Sequence, residues 1–344
     1  MTLTVSLPRG GYPVHIRPGA RKQTGAYLSA LGIHRWAVVS DETVAALYGG
    51  AVQESLAAAG LSGEMLTFPS GEAHKTPETW LALSRQLAQR GFSRGDGVAA
   101  LGGGVTGDLA GFAAACYQRG LPLVQLPTSL LAQVDSAVGG KTAVDLPEGK
   151  NLLGAFYQPR MVLVDPDCLA TLPVRQLRCG VAEVIKYGLI RDAALLELLA
   201  SDTPDWPLII ARCLSVKAAL VAADEHDLGV RRLLNFGHTV GHACEAASGY
   251  RMTHGEAVAI GMAAVLRWQL RRGDDVGDAY ETLLALLQRW ELPEALPRGG
   301  EALAGYIRND KKREGDLLHL VLLRAVGSAC IEDVPPAAFW EGLT

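Results

Sequence analysis

Residues 231–256, RRLLNFGHTVGHACEAASGYRMTHGE, hold three of the chain's eight histidines within seventeen positions. His238 and His242 are four apart, so on a helix both rings leave one face. Thr253 and Glu256 have capping-box spacing, which puts His254 in the first turn of a second helix. Two such helices would aim imidazoles at one point. That is how proteins bind a divalent metal through nitrogen, with a carboxylate or thiolate still needed to complete the ligand set. The plainer alternative is two solvent-facing histidines and a third in a helix cap.

The stretch GVAEVIKYG, residues 180–188, sets Glu183 three residues before Lys186. An i,i+3 pair on a helix surface is one reading. The flanking Ala, Val, Ile and Tyr favour burial, where each charge needs a partner or a metal. Glu183 is therefore the candidate carboxylate for the histidines. Residues 98–108, VAALGGGVTGD, read as a strand, a glycine turn and a helix start, which lets backbone and helix N-terminus approach a pyrophosphate. The same pattern arises wherever a strand turns tightly into a helix. No acid stands about 20 residues later, where the common dinucleotide fold has one; Asp41, ending an earlier strand, is the candidate instead.

Residues 133–151, QVDSAVGGKTAVDLPEGKN, place Lys141 and Lys150 beside glycine and before Thr or Asn, suited to holding anionic oxygens. The pattern is not a Walker A loop. Only 8 of the 32 basic residues are lysine, and six of these, Lys141, Lys150, Lys186, Lys217, Lys311 and Lys312, fall in the candidate segments. Ammonium and guanidinium are not interchangeable, so these lysines read as placed for a task.

The positioning elements follow from pattern. Strand-like runs at 36–39, 65–68 and 98–101 alternate with helix-like runs at 43–59, 77–90 and 105–116, which predicts a parallel sheet with ligands at its carboxyl edge. Beyond residue 173 the texture turns Ala- and Leu-rich with helical period. The prediction is an α/β N-terminal dinucleotide-binding domain, residues 1–172, of a Rossmann-like variant, and an all-α C-terminal domain, residues 173–344, with a small hairpin near 317–332. A net charge of −4 gives no reason to expect nucleic acid or an acidic membrane as partner. The six cysteines lack a Cys-x2-Cys pair, so they are expected reduced and mostly buried. No signal pattern opens the chain and no apolar run approaches 18 residues, so a cytoplasmic enzyme is expected.

Five segments occur in one order: GGGVTGDLAGF (102–112), LPTSLLAQVDSAVGGKTAVDLPEGKNLLGAFYQP (126–159), GVAEVIKYG (180–188), LLNFGHTVGHACE (233–245) and HGEAVAIGM (254–262). Together they resemble the 3-dehydroquinate synthase family, over about residues 41–323. The resemblance implies an NAD-binding α/β domain, a helical domain binding metal and substrate, a dehydroquinate synthase-like fold and a homodimer. It implies Glu183, His238 and His254 as ligands of zinc or cobalt, with His242 turned to the substrate phosphate. NAD would contact Asp41, Glu72, Lys75, Gly103, Gly104, Asp108, Thr128, Ser129 and Thr171, with Lys141 and Lys150 reaching cofactor as well as substrate. Substrate would be held by Asp135, Lys141, Lys150, Asn151, Lys186, Lys217, Arg231, Asn235, His242 and one or both of Lys311 and Lys312. Arg119 would reach the neighbouring subunit's site.

The implied reaction converts 3-deoxy-D-arabino-heptulosonate 7-phosphate to 3-dehydroquinate and phosphate. It runs by transient oxidation with NAD, phosphate elimination, re-reduction and aldol closure, a net lyase reaction in the shikimate pathway. Alternatives are another sugar phosphate cyclase, of valiolone or inosose type, and a metal-dependent polyol or alcohol dehydrogenase. One position departs from the family pattern: Asp227 stands four residues before Arg231, where the family usually has Glu.

Overall fold

The structure, a computed structural model, describes residues 1–8, 10–297 and 317–343. The chain divides into two compact units, Met1–Leu172 with Lys217–His226, and Pro173–Val216 with Asp227–Thr344. A single cut after residue 172 does not anticipate that Lys217–His226 groups with the first unit.

The first unit contains strands β1 (Thr2–Val5), β2 (Tyr12–Ile16), β3 (Arg35–Asp41), β4 (Ser62–Phe68), β5 (Gly97–Gly102), β6 (Leu123–Pro127), β7 (Lys141–Leu146), β8 (Gly149–Phe156) and β9 (Met161–Val164). Its helices are α1 (Thr24–Ser29), α2 (Glu42–Val44), α3 (Gly50–Ala58), α4 (Pro77–Gln89) and α5 (Gly104–Cys116). Seven strands form one sheet in the order β1-β2-β9-β6-β5-β3-β4. All pairs in it are parallel except β1 with β2. Strands β7 and β8 form a separate antiparallel hairpin.

Every residue of β5 is buried, as expected for a central parallel strand covered on both faces. Alternation sorts the side chains. Ala37, Val39, Val98 and Ala100 pack with Leu83 and Leu87 of α4 and Leu109 and Phe112 of α5. Trp36, Val38, Ala99 and Leu101 pack with Leu28, Val52 and Leu56 on the other side. Each fully buried leucine contributes about 2 kcal/mol. From β3 the chain runs outward to β4 and then returns to β5 on the opposite side of β3. That reversal makes the carboxyl ends of β3 and β5 a topological switch point, the place where open α/β sheets bind ligands.

The second unit is built on α6 (Val174–Ile190), α7 (Ala194–Ala200), most of α8 (Trp206–Ala223), α9 (His238–Ala247), α10 (His254–Arg272), α11 (Gly277–Arg289) and α12 (Pro336–Leu343). It is helical rather than all-α, because β10 (Leu318–Ala325) and β11 (Ser328–Val334) pair as an antiparallel hairpin. Gln269 of α10 seals this hairpin to the helices, donating to the Leu323 carbonyl and accepting from its N–H. The six cysteines are free, four of them buried.

Among the described helices α8 is long and apolar enough to cross a membrane. It nevertheless carries Arg212, bonded to Asp192, and Lys217, paired with Asp135. Ile209, Ile210, Cys213, Leu214 and Val221 along it are buried, as in a core helix.

Candidate active site

Three helices of the second unit meet at the metal candidates. Glu183 and Lys186 lie in the buried middle of α6, each 1% exposed and paired with one another, so the surface-pair reading fails. His238 opens α9 after Gly237, whose φ is 77°. His254 opens α10 behind the expected capping box. Thr253 Oγ1 accepts from Glu256 N–H at 3.4 Å, and Glu256 Oε2 accepts from Thr253 N–H at 2.8 Å. Glu256 also takes two hydrogen bonds from Arg175 of α6, both 2.8 Å. Replacing Glu256 by Ala is expected to cost about 1–2 kcal/mol. Urea unfolding would register this as an earlier midpoint, partly restored in Glu256→Gln.

Glycines let the helices come close enough. A Cβ on Gly241 of α9 would sit 3.1 Å from the Ala257 carbonyl of α10, and one on Gly255 of α10 would overlap the Cys179 backbone of α6. As a result one carboxylate oxygen of Glu183 and one nitrogen each of His238 and His254 lie within 4.8 Å of one another. Glu183 Oε1 is 3.3 Å from His254 Nε2 and 3.7 Å from His238 Nε2. Both Glu183 oxygens are buried, Oε2 against the Lys186 ammonium and Oε1 facing the two imidazoles. Burial, then the charges of Lys186, His254 and His242, hold His238 well below the usual imidazole range, in the neutral form that ligates metals. Burial pushes His254 down too, but hydrogen bonds and charge from Glu183 and Glu245 outweigh it and raise the ring to about 9. Two carboxylates thus favour positive charge at this point. A buried carboxylate with two imidazoles fits zinc or cobalt by donor type.

The helical-face pair does not share one role. His238 joins Glu183 and His254, whereas the exposed His242 groups with Glu245 and His254. Glu245 escaped the sequence reading. Its signal was available, because it lies seven residues after His238 and three after His242, on the same face of α9. Arg231 is buried at 2% exposure in the short helical turn Val230–Asn235, and Asn235 is exposed. Asp227 has φ 61°, a left-handed conformation that Asp tolerates better than longer side chains.

In the first unit several of the predicted cofactor residues lie at the carboxyl ends of β3 and β5 or bond to one another. Asp41 ends β3 and caps α2, accepting from Val44 N–H at 3.0 Å and Ser70 Oγ at 2.9 Å. Gly103 and Gly104 turn β5 into α5. A Cβ on either would come within 3.3 Å of the Ser129 or Ser136 hydroxyl, respectively. Thr128 donates its N–H to the Gly102 carbonyl. Lys75, 5% exposed, pairs with Asp108 at 2.5 Å and donates to Asn151 Oδ1 at 2.5 Å. Lys150 pairs with Glu72 at 3.0 Å.

Asp145, which the sequence did not single out, ties these together. Its N–H donates to the Lys75 carbonyl, and its carboxylate accepts from the N–H of Asn151, whose φ is 57°. Lys217 pairs with the Asp135 carboxylate and donates to the Asp135 carbonyl at 2.6 Å. Lys141, at the head of β7, is exposed, and Thr171 shares its hydroxyl with Tyr48. Lys311 and Lys312 lie outside the described residues.

Family profiles described as 3-dehydroquinate synthase N-terminal and C-terminal match residues 65–179 and 180–313. A 3-dehydroquinate synthase of Methylococcus capsulatus is 46% identical over 353 residues, covering 99% of this chain and 97% of its own. Among solved structures, a 2-deoxy-scyllo-inosose synthase complexed with carbaglucose-6-phosphate, NAD+ and Co2+ has a TM-score of 0.89 at 26% identity, covering 100% of this chain and 99% of its own. A 2-epi-5-epi-valiolone synthase from Streptomyces hygroscopicus subsp. jinggangensis, with NAD+ and Zn2+ bound, has a TM-score of 0.87 at 29% identity, covering 96% and 95%. With both profiles matched in tandem and near-complete coverage by relatives of this identity, the chain belongs to the 3-dehydroquinate synthase family.

Proposed function

We propose that the chain converts 3-deoxy-D-arabino-heptulosonate 7-phosphate to 3-dehydroquinate and inorganic phosphate, using NAD catalytically and one divalent cation. The observation that carries this reading is the buried Glu183, His238 and His254 cluster in a chain of this family. Glu183, His238 and His254 would hold the cation, which would supply Lewis-acid polarisation of the C5 hydroxyl, and bound NAD would supply a reversible hydride acceptor for C5. The NAD site comprises Asp41, Glu72, Lys75, Gly103, Gly104, Asp108, Thr128, Ser129 and Thr171. The glycine turn gives the pyrophosphate backbone N–H groups and the positive end of α5.

The side chains hold an acid with two anionic ends. Lys141, Lys150, Asn151 and His242 grip the phosphate, whose departure they favour by fixed positive charge and hydrogen bonds. Arg231 and Lys217 suit the carboxylate, the guanidinium by its planar fork. Lys217 is already aligned by Asp135, and Lys186 by Glu183. One or both of Lys311 and Lys312 complete the substrate set. Orientation is the main contribution of these groups, because elimination and ring closure need a restricted rotamer more than a strong acid or base.

The test is incubation of the protein with the heptulosonate phosphate, Zn2+ or Co2+ and substoichiometric NAD. Phosphate release with no build-up of NADH is expected. Steady NADH accumulation would indicate a dehydrogenase, and no phosphate release from this substrate but release from a sugar phosphate without a carboxylate a different cyclase. Identity of 46% to a 3-dehydroquinate synthase, against 26–29% to the two other cyclases, favours the first outcome. Asp227 is assigned the place of the family glutamate beside the reacting hydroxyl. The variant Asp227→Glu is expected to keep turnover within about tenfold of the parent, since a left-handed backbone costs a longer side chain on the order of 1 kcal/mol. Complete loss in a steady-state assay would contradict a role shared by Asp227 and the family glutamate.

The reading includes a cytoplasmic homodimer in which Arg119 serves the partner subunit's site. Its support is a turn in which Gln118, Arg119 and Gly120 all have positive φ, at 53°, 67° and 127°, and which leaves Arg119 exposed. For Gln118 and Arg119 such conformations cost about 1 kcal/mol or more each, and strain of this kind clusters at functional sites. Subunit mixing checks this. Arg119→Ala and Glu183→Ala proteins, each inactive, should regain roughly a quarter of parental activity once exchanged, because half the dimers then hold one intact site. Activity that stays at zero after verified exchange would place Arg119 in its own subunit's site.

A further inference from the structure

Both imidazoles of the proposed metal set turn Nε2 toward Glu183 and Nδ1 away from it. For His238 the outward nitrogen meets the Phe236 carbonyl at 3.1 Å. For His254 it meets a carboxylate, with Glu245 Oε1 3.6 Å from Nδ1. Glu245 is 2% exposed, on the face of α9 that also carries His238 and His242. Burying a carboxylate is costly unless something in the interior uses its charge. The 3.6 Å separation is an ion-pair distance that a small rotation of the ring converts into a hydrogen bond.

An imidazole that ligates through Nε2 keeps its proton on Nδ1, and an acceptor there fixes the tautomer, orients the ring and strengthens Nε2 as a donor. We propose that Glu245 is the positioning residue for His254, accepting the Nδ1 proton so that Nε2 faces the cation. The two ligating histidines are then held differently, one by a neutral carbonyl and one by a full negative charge. Glu245 sets the cation affinity without touching the cation. This inference rests on the reading of Glu183, His238 and His254 as metal ligands.

The same residues allow a competing arrangement, since His242, Glu245 and His254 also place ligand atoms within 4.8 Å of one another. A second cation there would have to displace the Nδ1 proton and make His254 a bridge between two ions. Zinc titration against a chelator of known affinity, at fixed pH and with metal counted per chain, separates the cases in the parent and in Glu245→Gln. The expected result is one Zn2+ per chain in both, bound about 10- to 100-fold more weakly by the variant. The unfolding midpoint of metal-free protein should be similar in the two.

Equal affinities would overturn the inference while leaving the metal site intact. A second Zn2+ in the parent that vanishes in the variant would overturn it by making Glu245 a ligand. No zinc uptake by the parent would remove the metal reading itself, and the inference with it. Should the variant fail to fold, imidazole 15N spectra of the zinc-loaded parent decide. A protonated Nδ1 on His254 supports the role, and a metallated Nδ1 overturns it.

Discussion

Glu183→Gln is expected to lower turnover by roughly a thousandfold or more, because a catalytic cation supplies several kcal/mol and each 1.4 kcal/mol is tenfold. The substitution keeps the shape of a side chain that is 1% exposed and removes its charge, which serves both the cation site and the buried Lys186 ammonium. Loss of turnover is therefore accompanied by loss of stability, and metal content identifies the part due to the cation site. Metal content should drop below one ion per chain. NAD affinity should change little, because the residues assigned to NAD all belong to the first unit. Parallel measurement of zinc content, NADH fluorescence titration and phosphate release would show this pattern. Full activity in a metal-free variant would reject Glu183 as a ligand.

The second large effect is on stability. Asp108→Ala removes the partner of Lys75, an ammonium 5% exposed, and is expected to cost about 3–5 kcal/mol, the range for breaking a buried ion pair from one side. Asn151 Oδ1 remains bonded to Lys75, which places the expected value toward the lower end. The double variant Lys75→Met with Asp108→Leu should recover much of the loss, because no buried charge is then left uncompensated. Thermal or urea unfolding of the parent, Lys75→Met, Asp108→Leu and the double variant gives the coupling. Additive losses would mean that the two charges do not depend on each other.

The parts legible in the sequence were those written in short-range spacing. The capping box at Thr253 and Glu256, the buried Glu183 and Lys186, and the strand, turn and helix around Gly102 to Gly104 are all local patterns, and each forms as expected. The pairing of the N-terminal hairpin was not legible, because β2 finds its partner in β9, more than 140 residues away. Nor was the β7–β8 hairpin. Its glycines and lysines hide the alternation, and β8 leaves Leu152, Leu153 and Phe156 exposed.

Site residues followed the same division. His238, His242 and His254 announced themselves by type and spacing. Asp145 did not, because an acid in a strand looks like ordinary surface until the fold shows what its carboxylate faces, whereas Glu245 had the helical spacing to be found but no feature setting it apart from a surface acid. The left-handed backbone at Asn151 and Asp227 is likewise invisible in composition, since both residue types are also common in regular turns.

The most direct test of the account is a crystal of the zinc- or cobalt-loaded protein measured at the metal's absorption edge. The account predicts one anomalous peak, about 2.0–2.2 Å from a Glu183 oxygen and from Nε2 of both His238 and His254. A peak bound by His242 and Glu245 instead, or no peak near Glu183, would contradict it.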